Sequence, residues 1–303
     1  MNARLLERFR HGDRLALARL LTLVAREEDL GNIADQISNS KNCRVVAFTG
    51  SGGVGKSSLI GKLIETIRGQ NLKVAVLACD PQSPLSGGAL LGDRFRMPQR
   101  PQDDGVFIRS LAAESGQGAI AGNLGLMVRL CAGFGFDVVL IETVGAGQGE
   151  SAVRDVADVV VLLLQPETGD DLQWEKAGIL ELADILAVNK ADLPGADQVA
   201  AQVKTSMELS GHAVPVLEVS AKTGKGLADL WRAIQAIAGK HATAAPASEL
   251  LRLAQQELKA RFHAVLATGD ASVQKIIDQF QAGKLSASAA SRAVLKQLSE
   301  RKR

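Results

Sequence analysis

The chain has 303 residues, 46% hydrophobic and 22% charged, with 30 glycines, a net charge of +2, 3% aromatic residues and no tyrosine. That length allows one large α/β domain with accessory helices or two small domains, and the hydrophobic content supports a sizeable core. Few aromatics and a near-neutral charge argue against a nucleic-acid platform, and no apolar stretch approaches the ~20 residues of a membrane span.

Arg4, Glu7, Arg8, Arg10, Asp13 and Arg14 leave no room for a secretory apolar region among the first fifteen residues, so a cytoplasmic protein is expected. Cys43, Cys79 and Cys131 lie far apart and the four histidines are scattered, so no metal-ligand cluster is visible. Leu5, Leu6, Phe9, Leu15, Leu17, Leu20, Leu21 and Val24 recur at helical spacing, which predicts an N-terminal helical arm over residues 1–41.

From residue 42 short β-branched runs alternate with helical stretches. The runs are RVVAFT (44–49), KVAVLAC (73–79), VFIRSL (106–111), DVVLIE (137–142), DVVVLLL (158–164), DILAVN (184–189) and VPVLEV (214–219). Near-continuous Val/Ile/Leu strands separated by helices predict an α/β fold with a mainly parallel central sheet covered on both faces, over 42–240. Ligands of such sheets bind at the carboxyl ends of the strands.

The first run opens into Gly50-Ser51-Gly52-Gly53-Val54-Gly55-Lys56-Ser57, followed by Ser58 and a helical pattern. This is a complete G-x-x-x-x-G-K-[ST] phosphate loop in its required strand-to-helix setting. Its glycines let successive N–H groups converge on one anion, Lys56 reaches the β- and γ-phosphates, and the Ser57 hydroxyl ligates Mg²⁺.

Asp80 ends the second run and Asp93 follows in GDRFRM; each is a candidate for the metal shell or a turn cap. The run DVVLIETVGAGQ closes on Glu142, able to hold Mg²⁺ through water, and on Gly145, whose N–H can sense the γ-phosphate. The run DILAVN leads into Asn189-Lys190-Ala191-Asp192. A carboxylate at Asp192 can accept from guanine N1–H and the 2-amino group, donors that adenine lacks, so guanine is predicted over adenine. Ser220-Ala221-Lys222-Thr223-Gly224 after the last run adds a second base-reading loop, with a backbone N–H, that of Ala221, for guanine O6. The chain is thus expected to bind GTP or GDP.

The small, proline-interrupted linker GKHATAAPAS (239–248) leads into an extension, over residues 241–303, of amphipathic helices. Residues 249–303 hold ten Lys/Arg against five Asp/Glu, spread at helical periodicity as on a solvated face. Leu250, Leu253, Leu258, Phe262 and Leu266 form an apolar stripe that so small an appendage does not bury alone, so a homodimerisation extension is expected.

In order, GSGGVGKS, LACDPQSPLSGGALLGDRFRM, FDVVLIETVGAGQGE and LADILAVNKADL resemble the methylmalonyl-CoA-mutase-associated GTPases of MeaB/ArgK type, over nearly the whole chain. The distinctive parts are D-P-x-S-x-x-x-G-G-x-x-L-G-D-x-x-R-M and E-T-V-G-x-G-Q. The resemblance implies a homodimeric GTPase chaperone of an adenosylcobalamin-dependent acyl-CoA mutase, with adenosylcobalamin bound by the partner. It also implies that Asp80, Asp93 and Glu142 complete the Mg²⁺ site, and that Gln165–Gly178 is a mobile switch with Asp170 and Lys176 as its active side chains. AAESGQGAIAGN after the third run and Ser51-Gly52 in the phosphate loop depart from the family pattern, which points to a sister of methylmalonyl-CoA mutase as partner.

No glutamine directly follows Gly145; Gln148 lies three positions on, so slow intrinsic hydrolysis is expected. Lys56, Glu142, Gln148 and Arg109 are the candidate catalytic residues, with Arg94 and Arg154 as further arginines. A metal-inserting GTPase is the alternative, though it should carry clustered Cys/His ligands; a signal-recognition GTPase should carry more than four methionines. A transport-protein kinase would need an acceptor site that the sequence does not display, and a non-hydrolysing structural adaptor is the remaining alternative.

Overall fold

The computed structural model describes residues 3–26, 28, 33–34, 36–37, 43–81, 103–113, 119–143, 150–166, 180–209, 211, 213–239 and 247–300. It divides into two compact units, Met1–Pro246 and Ala247–Arg303.

All seven predicted runs are strands: β1 (Arg44–Thr49), β2 (Val74–Pro81), β3 (Val106–Ala113), β4 (Val138–Glu142), β5 (Val159–Leu164), β6 (Ile185–Val188) and β7 (Val216–Glu218). They form one sheet in the order β3-β2-β4-β1-β5-β6-β7, and every pair is parallel. The helices of this unit are α1 (Ala3–Arg10), α2 (Arg14–Ala25), α3 (Lys56–Arg68), α4 (Ala119–Phe134), α5 (Glu150–Val156), α6 (Ala196–Leu209) and α7 (Leu227–Ala236).

Strand β5 shows why the runs are apolar throughout. Val159, Val161 and Leu163 join a core with Leu59, Ile60 and Leu63 of α3 and Leu230, Trp231 and Ile234 of α7. Leu162 and Leu164, on the other face, join Val203 and Met207 of α6. A strand covered on both sides has no solvent face to make polar, so the period-two alternation disappears. Trp231 donates its indole N–H to Gln70 Oε1 at 3.0 Å, which satisfies the one polar atom it brings inside.

The predicted N-terminal arm is helical and docks beside β3. Asp13 caps α2 by accepting from the N–H groups of Leu15 and Ala16, and Phe9 of α1 packs on Phe134 of α4 with ring centroids 5.6 Å apart. Arg14 lies over the Phe107 ring at 5.7 Å and donates to the carbonyls of Asp104 and Val106 at the head of β3.

The second unit has three helices, α8 (Ala247–Ala267), α9 (Ala271–Gln281) and α10 (Ala287–Glu300). Asp270 caps α9 by accepting from Ser272 and Val273 N–H. The buried core cluster of this unit is small, Val265, Val273 and Leu298, while Leu250, Leu251, Phe280 and Leu295 remain exposed.

Candidate functional site

The site is assembled from the carboxyl ends of β1, β4 and β6 and the loop after β7. Strand β1 runs into residues 50–55, and α3 starts at Lys56. Two glycines there are obligatory for different reasons. Gly50 has φ +142°, and a Cβ on it would stand 2.5 Å from the Leu163 carbonyl oxygen; Gly55 has φ +92°, and a Cβ on it would stand 2.6 Å from Asn189 Nδ2. Lys56 is 8% exposed, and its ammonium donates to the Gly50 and Ser51 carbonyls at 2.8 and 3.0 Å. The charge is therefore held inside the loop, at the N-terminus of a 13-residue helix whose dipole adds to it.

Glu142 reaches this loop through sheet register. It pairs with Phe48 on β1, and Thr143 N–H donates to the Phe48 carbonyl at 3.1 Å. The Ser57 hydroxyl then donates to Glu142 Oε1 at 2.7 Å, with both residues buried. The donor set is all oxygen, which is what Mg²⁺ takes, so the two residues fit that cation. The backbone of Asp80 stands at the end of β2, two residues beyond Ala78, the residue in register with Glu142. The Asp80 side chain, with Asp93, Arg94, Gly145, Gln148, Asp170 and Lys176, lies outside the described residues.

The base-reading half is pinned to the phosphate half. Asn189 is 2% exposed and its amide donates to the Val54 carbonyl at 2.8 Å, so the loop after β6 is tied to the phosphate loop. Lys190 adopts φ +60°, a left-handed conformation that turns the chain sharply after Asn189. The Ser220 hydroxyl donates to Asp192 Oδ1 at 2.6 Å, and Lys222 Nζ lies 3.7 Å from Asp192 Oδ2. Ser220 Oγ in turn accepts from Thr223 N–H at 3.1 Å. The Ser220 hydrogen bond, aided by Lys222, holds the Asp192 carboxyl below the usual carboxylate range.

These groups border one cavity of about 480 Å³, lined by Ser58, Asn189, Lys190, Asp192, Ala221 and Lys222 among others. Gly55 of the phosphate loop, Asn189, Lys190 and Asp192 of N-K-x-D, and Ala221 and Lys222 thus line one cavity, and Asn189 is bonded to Val54 from 135 positions away in sequence. Lys62 and Gly61 line it too, and sequence reading overlooked both. The signal was present: Lys62 falls four residues after Ser58, on the same helix face.

Arg109, expected among the catalytic groups, is not brought to the phosphates. It sits mid-strand on β3, in register with Leu77, three strands and roughly 14 Å across the sheet from β1. Its guanidinium donates to Thr22 Oγ1 on α2 at 2.8 Å. Arg154 is likewise engaged elsewhere, in an ion pair with Asp184 at the amino-terminal end of β6.

A parallel α/β sheet whose first strand feeds a G-x-x-x-x-G-K-S loop, with N-K-x-D at the end of β6, defines a P-loop GTPase. The profile of the Methylmalonyl Co-A mutase-associated GTPase MeaB family matches residues 17–276, and the chain belongs to that family. A Pyrococcus horikoshii protein whose name places it among the GTPases is 41% identical over 240 residues, 76% of either chain. The mouse protein named methylmalonic aciduria type A homolog, mitochondrial, is 35% identical over 223 residues, 71% of this chain and 52% of that one. Among solved structures, that of an LAO/AO transport system kinase covers 98% of this chain and 96% of its own, with a TM-score of 0.58 and 25% identity.

Proposed function

We propose that this GTPase is a chaperone of an adenosylcobalamin-dependent acyl-CoA mutase, gating cofactor loading and protecting or reactivating the mutase. The observation that carries the nucleotide-sensing half is the 2.7 Å bond between Ser57 and Glu142. It ties the phosphate loop to the end of β4, and β4 leads straight into the ETVGAGQ segment. A change at the γ-phosphate is therefore felt at the strand end from which that segment departs. The partner half is supported by the family to which the chain belongs and by the name of its mouse relative.

In this reading Ser57 and Glu142, joined by Asp80 and Asp93, hold Mg²⁺, which neutralises charge on the β- and γ-oxygens when bound. Lys56 stabilises the same oxygens, and Asp192 with the Ala221 N–H reads guanine. Hydrolysis is slow alone and rises with the partner, in keeping with the lack of a glutamine directly after Gly145 and of an arginine among the described residues that line the cavity. Gln148 acts with Lys56 and Glu142 in catalysis, and Asp170 and Lys176 couple turnover to the mutase, whose own site holds adenosylcobalamin. The protein works in the cytoplasm as a homodimer through α8–α10, whose Leu250 and Leu251 are 70% and 61% exposed. The partner is a sister of methylmalonyl-CoA mutase, in line with the departures in residues 112–123 and at Ser51-Gly52.

The deciding experiment measures GTP turnover, cofactor loading and protection from inactivation against a panel of purified acyl-CoA mutases. Stimulated turnover with one sister mutase is expected. Equal turnover with and without every mutase overturns the chaperone reading, and tightest coupling to methylmalonyl-CoA mutase overturns the choice of partner.

A further inference from the structure

The nucleoside cavity lacks the aromatic side chain on which a purine is commonly stacked: none lines it among the described residues. What does line it on the helix side is a stripe on α3. Gly55, Ser58, Gly61 and Lys62 follow one another along one face, and the loops after β6 and β7 bring Asn189, Lys190, Asp192, Leu193, Ala221 and Lys222 to the same cavity. Ser58 is next to the phosphate end and Gly61 presents bare backbone, so among the described residues Lys62 is the one long side chain that α3 brings to the cavity. Its head is already engaged: Lys62 Nζ lies 3.6 Å from Glu65 Oε2, one turn further along α3. With the ammonium drawn along the helix toward Glu65, the methylene stem of Lys62 is left to border the cavity its residue lines.

We infer that Lys62 is a nucleotide-binding residue whose aliphatic stem closes the α3 side of the trench over the purine, opposite the loops that carry Lys190 and Lys222. An apolar stem over a purine face excludes water from the hydrogen bonds that Asp192 makes at the base edge, which strengthens them. It contributes to affinity without reading the edge itself. Asp192 sets which base is chosen, and Lys62 sets how tightly any purine in that trench is held. The inference rests on the guanine-nucleotide reading of the site.

The test is calorimetric binding of GDP, GMP and IDP to the full chain, as wild type and as Lys62→Ala, Lys62→Met and the remote control Lys204→Ala. IDP lacks the 2-amino group and GMP lacks the β-phosphate. Lys62→Ala is expected to weaken all three by a similar factor, about five- to tenfold, while Lys62→Met and Lys204→Ala stay within about twofold of wild type. Both replacements at Lys62 are good helix formers, so α3 is retained. Three results overturn the inference: Kd values unchanged in Lys62→Ala, a loss for GDP and IDP that spares GMP, which assigns the lysine to the β-phosphate, or a loss in Lys62→Met as large as in Lys62→Ala. If the wild type binds neither GDP nor IDP, the guanine-nucleotide reading itself fails, which is a different outcome from a wild type that binds and a Lys62→Ala that binds equally well.

Discussion

Ser57 donates its hydroxyl proton to Glu142 across 2.7 Å, so a side chain of the phosphate loop and the last residue of β4 are bonded although 85 positions separate them. Replacing Glu142 by Gln keeps the shape and removes the charge a divalent cation needs. The Mg²⁺ concentration for half-maximal GTP turnover should rise roughly 10- to 100-fold, while GDP binding in the presence of a chelator changes little. A magnesium titration of turnover checks this, and an unchanged midpoint removes Glu142 from the metal site.

In the proposed guanine site Asp192 is the acceptor for the base edge, so Asp192→Asn exchanges two acceptors for one acceptor and one donor. GDP affinity should fall about 100-fold or more, as two charge-assisted hydrogen bonds are lost. Xanthosine diphosphate, whose 2-oxo group wants a donor, should gain. Competition binding with the two nucleotides reports the switch, and an unaltered preference for GDP rules Asp192 out as the base reader.

The pH dependence follows from the same carboxylate. Its value in the folded protein is depressed below the ordinary 3.8, chiefly by Ser220. The charge is therefore present above the ordinary value and lost only as pH falls through the lower folded one. GDP affinity should be flat between about pH 5 and 8, and Ser220→Ala should move the acid-side loss upward toward the ordinary carboxylate range. A decline that begins near neutrality in the wild type assigns the titration to another group.

Arg109→Ala separates docking from catalysis. The Thr22 hydrogen bond belongs to the arm, so its loss should cost about 1 kcal/mol, seen as a Tm lower by a few degrees, with GTP turnover within about twofold of wild type. A large fall in kcat with unchanged Tm would restore Arg109 to the reaction.

Leu250 and Leu251 are too exposed for a helix face with no covering, so Leu250→Glu with Leu251→Glu should convert a dimer to a monomer on light scattering. GDP binding should persist, because every residue of the nucleoside cavity lies in the first unit. A dimer that survives both changes places the interface elsewhere.

The strands and the loops at their ends were legible because their signals are local. Each of the seven apolar runs names its own secondary structure, and G-x-x-x-x-G-K-S and N-K-x-D carry chemistry in contiguous residues. Lys62 was illegible for a different reason: its role depends on which helix face meets the loops after β6 and β7, and only the packed sheet brings those together. Arg109 misled because proximity to a strand end in sequence says nothing about which strand lies beside it. Two strands, β2 and β4, separate β3 from β1, and the Arg109 guanidinium bonds Thr22 of the arm instead.

The two margins of the sheet are finished differently. At β7 only three residues pair, too few to recruit another chain. At β3, eight residues long, the backbone groups of Gly105 turn inward to bond Val74 N–H, so the next carbonyl, that of Val106, turns outward, and Arg14 takes it. The arm thus occupies the head of the longer margin, and its absence frees that carbonyl for strand addition. A fragment starting at residue 42 keeps the whole nucleotide site but exposes that margin. Its failure should show as concentration-dependent aggregation ahead of any loss of GDP binding.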